Sequence, residues 1–100
     1  MNLALPSPTL LRTAASNLRR YVRWTELYLR ESVQWRATGR HLGEVWRTSE
    51  TAWGWRCCIG FAPVEGDHYY TSRGNATKAL LLHVADKIER ECSDGEAATA

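Results

Sequence analysis

The stretch TAWGWRCCIGF, residues 51–61, alternates large apolar side chains with small or polar ones. Its large apolar residues all fall at odd positions: Trp53, Trp55, Cys57, Ile59 and Phe61. Because successive side chains of a β-strand point to opposite faces, the odd positions face a core and Cys58 faces away from it. The stretch is therefore predicted to be a strand with one buried face, and its adjacent cysteines do not act as a pair.

Two further strands are predicted before this stretch and one after it. Val33, Trp35 and Ala37 alternate with polar residues, and EVWRTS resumes an extended pattern after the turn GRHLG. Such alternation on both sides of a glycine-containing turn predicts an antiparallel pair. The segment HYYT, residues 68–71, predicts a short fourth strand at an edge of the sheet.

A helix is predicted at each end of the chain. Ser7-Pro8 has the residues of an N-cap and a first helical position. From Pro8 a 3.6-residue period continues for about six turns and places apolar residues from Leu11 to Leu29 on one face, which is predicted to be buried. The second helix follows SRGN and is expected to end at Gly95. Its apolar stripe comprises Leu80, Leu81, Val84, Ile88 and Cys92.

Together these segments predict an α+β fold in the order α-β-β-β-(β)-α. We expect an antiparallel sheet of three to four strands with both helices packed on one face and the other face open. One hundred residues fit one domain, residues 1–100, with flexible ends at 1–6 and 93–100.

Composition excludes several classes of protein. The apolar fraction is 44% and the charged fraction 24%, as in soluble globular chains, and no apolar run approaches the length of a membrane span. No secretory signal is evident, so the expected location is the cytoplasm, where three cysteines are expected to be free thiols. The net charge is +2, and the positive charge is concentrated in residues 1–47.

The sequence gives no pattern for catalysis or for a metal. Its cysteines and histidines lack the paired spacing of zinc sites, and the nucleophile, phosphate-binding and metalloprotease motifs are absent. We therefore expect no enzyme activity, no metal and no cofactor.

The predicted first helix contains a row of arginines. On its helical wheel Arg12, Arg19, Arg23 and Arg30 fall within about 40° of one another, which predicts an outward ridge. Trp24 and Leu27 flank this ridge, and Arg36 on the next strand would extend it. Arginine and tryptophan dominate protein interfaces, and arginine also binds phosphate, so both kinds of partner stay open.

Two resemblances bear on function. The order α-β-β-β-α is similar to that of the double-stranded-RNA-binding domain, although the lysine-rich start of that family's last helix is replaced here by SRGNATKAL. The unit WGWRCCIG, HYYTSRG and NATKALLLHVADKI, roughly residues 51–90, resembles a unit of small phage and mobile-element proteins, some of which are anti-CRISPR inhibitors. The second resemblance implies a stoichiometric inhibitor that docks on a host ribonucleoprotein or its nuclease subunit.

The leading prediction is a non-enzymatic protein-binding module that inhibits a bacterial nucleic-acid-processing complex in the cytoplasm of the host. The alternative is a nucleic-acid-binding domain. The expected contact residues are Arg12, Arg19, Arg23, Arg30, Trp24, Leu27 and Arg36. The chain could be a monomer or a homodimer joined through Leu27, Leu82 or the outer face of the sheet.

Overall fold

The computed structural model describes residues 5–60, 63–66 and 68–99, the last eight of them by their backbone alone. The described chain forms a single five-stranded sheet and three helices. In chain order these are α1 (Pro8–Ala15), α2 (Leu18–Tyr21), β1 (Val22–Leu27), β2 (Arg30–Trp35), β3 (Arg40–Ser49), β4 (Ala52–Cys57), β5 (Val64–Glu65) and α3 (Arg73–Thr99).

The sheet is a meander in which each strand pairs with its neighbour in sequence. The order is β1-β2-β3-β4-β5, and every pair is antiparallel. This confirms the α+β class with helices packed on an antiparallel sheet, but the sheet has five strands rather than three or four. The extra strands come from residues 22–27, which were expected to be helical, and from Val64–Glu65. Of the predicted strand HYYT, only Tyr70 pairs, in an isolated bridge with Trp53.

The core lies between the sheet and the helices. Trp55 and Cys57 are buried, as their alternation predicted, together with Val33 and Val45 from the neighbouring strands. Phe61, the last residue of that predicted pattern, lies outside the described residues. Helix α3 covers β3 and β4, and α1 packs against α3. Leu11 of α1 and Leu80 of α3 are both fully buried in this core.

The first helix begins as predicted and ends far earlier than predicted. Ser7 caps it by accepting a hydrogen bond from the amide of Leu10 at 3.2 Å, and Pro8 is its first residue. The amides of Ser16 and Asn17 bond carbonyls only three residues back, which ends the helix. The prediction of one helix continuing to Leu29 is therefore wrong.

A competing period explains this error. Val22 and Trp24 face the core while Arg23 and Thr25 are exposed, so residues 22–25 fit the two-residue period of a strand as well as the helical one. Val, Trp and Thr favour strands. Pairing with β2 decides between the two structures. It extends over six residue positions, from Val22 with Trp35 to Leu27 with Arg30.

The last helix also differs from its prediction at one end. Helix α3 begins at Arg73 and continues to Thr99, so Gly95 does not end it. Its buried residues include Leu80, Leu81 and Val84, as the apolar stripe predicted. The amide of Asn75 bonds the side chain of Ser72 at 3.1 Å, which identifies Ser72 as the capping residue.

Candidate interaction surfaces

The arginine ridge does not exist as a single surface because its four members lie on four different elements. Arg12 is on α1, Arg19 on α2, Arg23 on β1 and Arg30 at the start of β2. The ridge depended on one continuous helix. With the helix ended at Ala15, the helical wheel no longer relates these side chains.

Arg12 is used within the protein. Its guanidinium bonds the carboxylates of Asp86, at 2.9 Å, and Glu89, both on α3. These hydrogen bonds raise the pKa of Arg12 and lower the pKa of Glu89. Arg12 therefore fastens α1 to α3.

Arg30 and Trp24 are also engaged internally. Arg30 forms a 3.1 Å salt bridge with Glu44 and lies over the ring of Trp46, 4.2 Å from its centroid. The indole N–H of Trp24 donates to Thr77 on α3 at 3.0 Å. The guanidinium of Arg73 lies 4.3 Å from the centroid of the Trp24 ring and bonds Glu31 at 2.8 Å. The contacts of Arg30 join β2 to β3, and those of Trp24 and Arg73 hold β1 and β2 against α3.

The remaining predicted arginines meet at one end of the sheet. Tyr21 accepts a backbone hydrogen bond from Arg36 at 2.9 Å, and the ring of Tyr21 stacks on Trp35 at 5.7 Å. Arg20 lies over the Tyr21 ring, 5.8 Å from its centroid, and Arg40 pairs with Trp35 across β2 and β3. Arg19, Arg23 and Arg36 are each within two residues of Tyr21 or Trp35 in the sequence. We call this surface the arginine end, and it consists of Arg19, Arg20, Arg23, Arg36 and Arg40.

The arginine end is formed by sequence segments that carry no acidic residue. Residues 1–25 and 32–43 contain no Asp or Glu. Within the described part of the chain, Arg19, Arg20 and Arg36 form no salt bridge. Arg23 bonds the neutral amide oxygen of Gln34 at 2.9 Å. A surface of this kind attracts anionic groups.

The opposite end of the sheet has an exposed apolar turn. We call Leu27, Tyr28 and Leu29, at the turn between β1 and β2, the hairpin tip. Tyr28 is 91% exposed, Leu29 77% and Leu27 41%. Leu29 also has a positive φ of 61°, a backbone conformation that disfavours a leucine. The sequence analysis identified Leu27 here, but it placed Leu29 on a buried helical face, which is wrong.

A concave surface lies beside the hairpin tip. Its volume is about 420 Å³, and its lining includes Leu27, Leu29, Arg30, Trp46 and Trp53. Trp46 is half-buried on the outer face, where its ring covers Gly54 of β4. The tip and this hollow together form the largest concentration of accessible apolar side chains that the described residues bring to one end of the sheet.

A third group of side chains lies on the outer face of the sheet. One ligand atom each of His41, Glu44 and Cys58 lies within 4.8 Å of the others. Burial and the neighbouring carboxylate of Glu44 raise the pKa of the Cys58 thiol. The sequence analysis predicted that Cys58 faces away from the core, but it could not bring His41 and Glu44 to the same place.

Comparison of the chain with protein-family models, with curated proteins and with solved structures found no match. Among the described residues, no helix combines the length and the apolar character needed to cross a membrane.

The sequence analysis identified some members of these surfaces and missed others. Arg19, Arg23 and Arg36 were predicted as contact residues, the first two on one helix and Arg36 on the next strand, whereas they lie on α2, on β1 and just after β2. Arg20 and Tyr28 were missed. The sequence contained a signal for both residues. The runs RRY and LYL place basic and aromatic residues next to the two ends of a short strand.

Proposed function

We propose that this protein is a non-enzymatic protein-binding module that docks through its hairpin tip. The observation that carries the proposal is the pair Tyr28 and Leu29, which are exposed on a strained turn. Two-residue hairpin turns favour Asn or Gly where φ is positive. A leucine in the left-handed conformation costs about 1–2 kcal/mol. The tip therefore lowers the stability of the free protein, and its burial in a partner would offset that cost.

The shape and chemistry of the tip indicate what it would bind. It is convex and apolar, and tyrosine is enriched among the residues that dominate binding energy at protein interfaces. Exposed side chains of both charges, Glu26 and Arg47, lie next to it in the hairpins. The matching surface is an apolar cleft with a polar rim, which is a feature of folded proteins and not of duplex nucleic acid.

The identity of the partner stays a prediction. The resemblance to small phage and mobile-element proteins favours an inhibitor of a bacterial nucleic-acid-processing complex. In that reading the hairpin tip enters a cleft of a protein subunit, and the complex is stoichiometric. The arginine end would then face an acidic surface or bound nucleic acid on the same assembly.

The test uses two tip variants and one matched control. Tyr28→Ser removes the aromatic ring, and Leu29→Gly removes the side chain and the strain together. Leu82→Ser is the control because Leu82 is exposed on α3, away from the tip. We expect wild type and L82S to capture the same bacterial protein at equimolar ratio. When that protein has been purified, Y28S and L29G should bind it at least tenfold less tightly than wild type.

Stability measurements separate loss of contact from loss of fold. Leu29→Gly should leave the free energy of unfolding unchanged or raise it by about 1 kcal/mol, since glycine adopts positive φ without penalty. A variant that is as stable as wild type but binds less tightly supports docking through the tip. Equal affinity of wild type, Y28S and L29G for the captured protein would contradict it.

A second candidate function, binding to nucleic acid, is favoured by the arginine end. Arg19, Arg20, Arg23 and Arg36 lie on segments without Asp or Glu and could contact phosphates, and Tyr21 stacks on the buried Trp35 beneath Arg20. This surface does not include the hairpin tip. The two functions can therefore be tested with different variants.

A further inference from the structure

The side chains of His41 and Glu44 reach the same face of β3 because of a β-bulge. In a regular strand, residues separated by three positions point to opposite faces. Here Gly43 pairs with Val33 and His41 pairs with Gln34, so Leu42 is an extra residue in β3. A bulge of this kind redirects the side chains on one side of it. Leu42 enters the core, where it is fully buried, and His41 joins Glu44 on the outer face.

Cys58 reaches the same place from the position that directly follows β4. Its backbone N–H donates to the carbonyl of Leu42 at 3.1 Å, which fixes it beside the bulge. It follows the buried Cys57, so its side chain points to the outer face. The ligand atoms of His41, Glu44 and Cys58 consequently lie within 4.8 Å of one another.

The His41 ring has a second partner that orients it. Ser32 Oγ lies 2.7 Å from His41 Nδ1, and Ser32 is almost completely buried, at 4% exposure. With its proton on Nδ1, the ring donates to Ser32 and leaves Nε2 free to bind a metal ion. A histidine ligand that donates its other N–H to an oxygen is the usual arrangement in metal sites.

We propose that His41, Glu44 and Cys58 form a binding site for a zinc-type transition-metal ion on the outer face of the sheet. One nitrogen, one sulfur and one oxygen are the ligand atoms that Zn²⁺ prefers. Around a tetrahedral Zn²⁺ the ligand atoms are separated by about 3.3–3.8 Å, so small side-chain rotations would close the site. Ca²⁺ and Mg²⁺ are excluded because they require six or more oxygen ligands.

Two arginines border this site. Arg56 pairs with Glu44 across β3 and β4, and Arg30 and Arg56 both lie close enough to Cys58 to favour its thiolate, the form that binds a metal ion. Arg30 bonds one oxygen of Glu44 at 3.1 Å, so the other carboxylate oxygen is available to the metal. The Cys58 thiolate and the Glu44 carboxylate together balance a divalent ion, and binding releases the thiol proton. Three protein ligands leave a fourth coordination position for water.

Titration of the full-length protein with Co²⁺ tests the proposal directly. Co²⁺ replaces Zn²⁺ and reports its ligands, because thiolate ligation gives a near-ultraviolet charge-transfer band and tetrahedral geometry gives intense visible bands. We expect one Co²⁺ per chain, displaced by one Zn²⁺. Cys58→Ser should abolish the near-ultraviolet band, and His41→Gln should weaken binding at least tenfold. Ser32→Ala should weaken binding about tenfold through the orientation of the ring.

Two control variants test whether the site is specific. Cys92→Ser removes a cysteine, and His68→Gln a histidine, that is not part of the proposed site. Both variants should leave the Co²⁺ spectrum and affinity unchanged. Circular dichroism of the metal-free variants shows whether each still folds. The proposal is overturned if wild type binds neither Co²⁺ nor Zn²⁺ at equimolar concentration, or if folded C58S retains the charge-transfer band.

Discussion

His83 shows how a single residue can make stability depend on pH. It lies on α3 with its ring 5.0 Å from that of Trp55, and its Nε2 is buried without a hydrogen-bond partner among the described residues. Burial lowers the pKa of His83, and the nearby Arg90 and Lys87 lower it further, while Asp86 opposes them weakly. The folded state therefore disfavours the protonated ring.

The sign of the pH dependence follows from this shift. The folded pKa is below the ordinary value of 6.5, so the unfolded state binds the proton first as pH falls. The contribution of His83 to stability is complete above pH 6.5 and is lost below it, down to the folded pKa. We expect the urea midpoint of wild type to fall between pH 7.5 and pH 5.5, and that of His83→Gln to fall less. Equal pH dependence of the two proteins would contradict the shift.

At the scale of elements, the sequence predicted those segments whose local pattern has one interpretation. Residues 53–57 alternate strictly and became β4, and Ser7-Pro8 has both signals of a helix start and begins α1. Residues 22–29 fit two periods at once. Only the pairing of β1 with β2 decides between them, and pairing is not contained in a single segment.

The candidate surfaces were harder to predict for the same reason. The arginine end depends on a backbone contact between Tyr21 and Arg36, and the metal cluster depends on the bulge at Leu42. Both are long-range consequences of strand register. The sequence could indicate that arginine and tryptophan form contacts, but not that Arg12 and Arg30 are engaged by carboxylates of the protein itself.

A substitution at Gly43 tests how closely the sheet and α3 approach each other. A Cβ at this position would overlap the carbonyl oxygen of Arg56 in β4 and would lie 2.9 Å from Leu80 of α3. Because one of these neighbours is backbone, the contact cannot be relieved by a side-chain rotation. Gly43→Ala should lower the free energy of unfolding by about 1–3 kcal/mol, measured by urea denaturation.

Gly74 is the matched control for this substitution. A Cβ there would meet only ordinary contacts, the nearest being 3.7 Å from Leu18, and alanine favours the helix that Gly74 belongs to. Gly74→Ala should therefore leave stability unchanged or raise it slightly. If G43A were as stable as G74A, the register of β3 against β4 described here would be wrong.

At the scale of the whole molecule, the sheet separates two surfaces of different chemistry. The hairpin tip lies at the start of β2 and the arginine end just after its last residue, so about 20 Å of strand separates them. One end is apolar and suited to a protein cleft, and the other is positive and suited to an anionic partner. Substitutions at one end should not affect binding at the other, because β2 and its neighbours form a rigid sheet between them.

Ionic strength distinguishes an acidic protein partner from nucleic acid at the arginine end. If four of its arginines each neutralise a phosphate, the affinity for a fluorescent duplex should fall with salt at a log–log slope of about −3 to −4. The double variant Arg19→Glu, Arg36→Glu should weaken binding and reduce the magnitude of this slope by about 2. Two controls should leave the affinity and the slope unchanged: the tip variant L29G, and Arg90→Glu, which replaces an exposed arginine on α3. Fluorescence anisotropy between 50 and 200 mM salt, roughly the range over which counterion release is steep, measures the slope. Absence of binding to duplex and single strand at the lower salt concentration would exclude nucleic acid and leave an acidic protein surface as the partner of the arginine end.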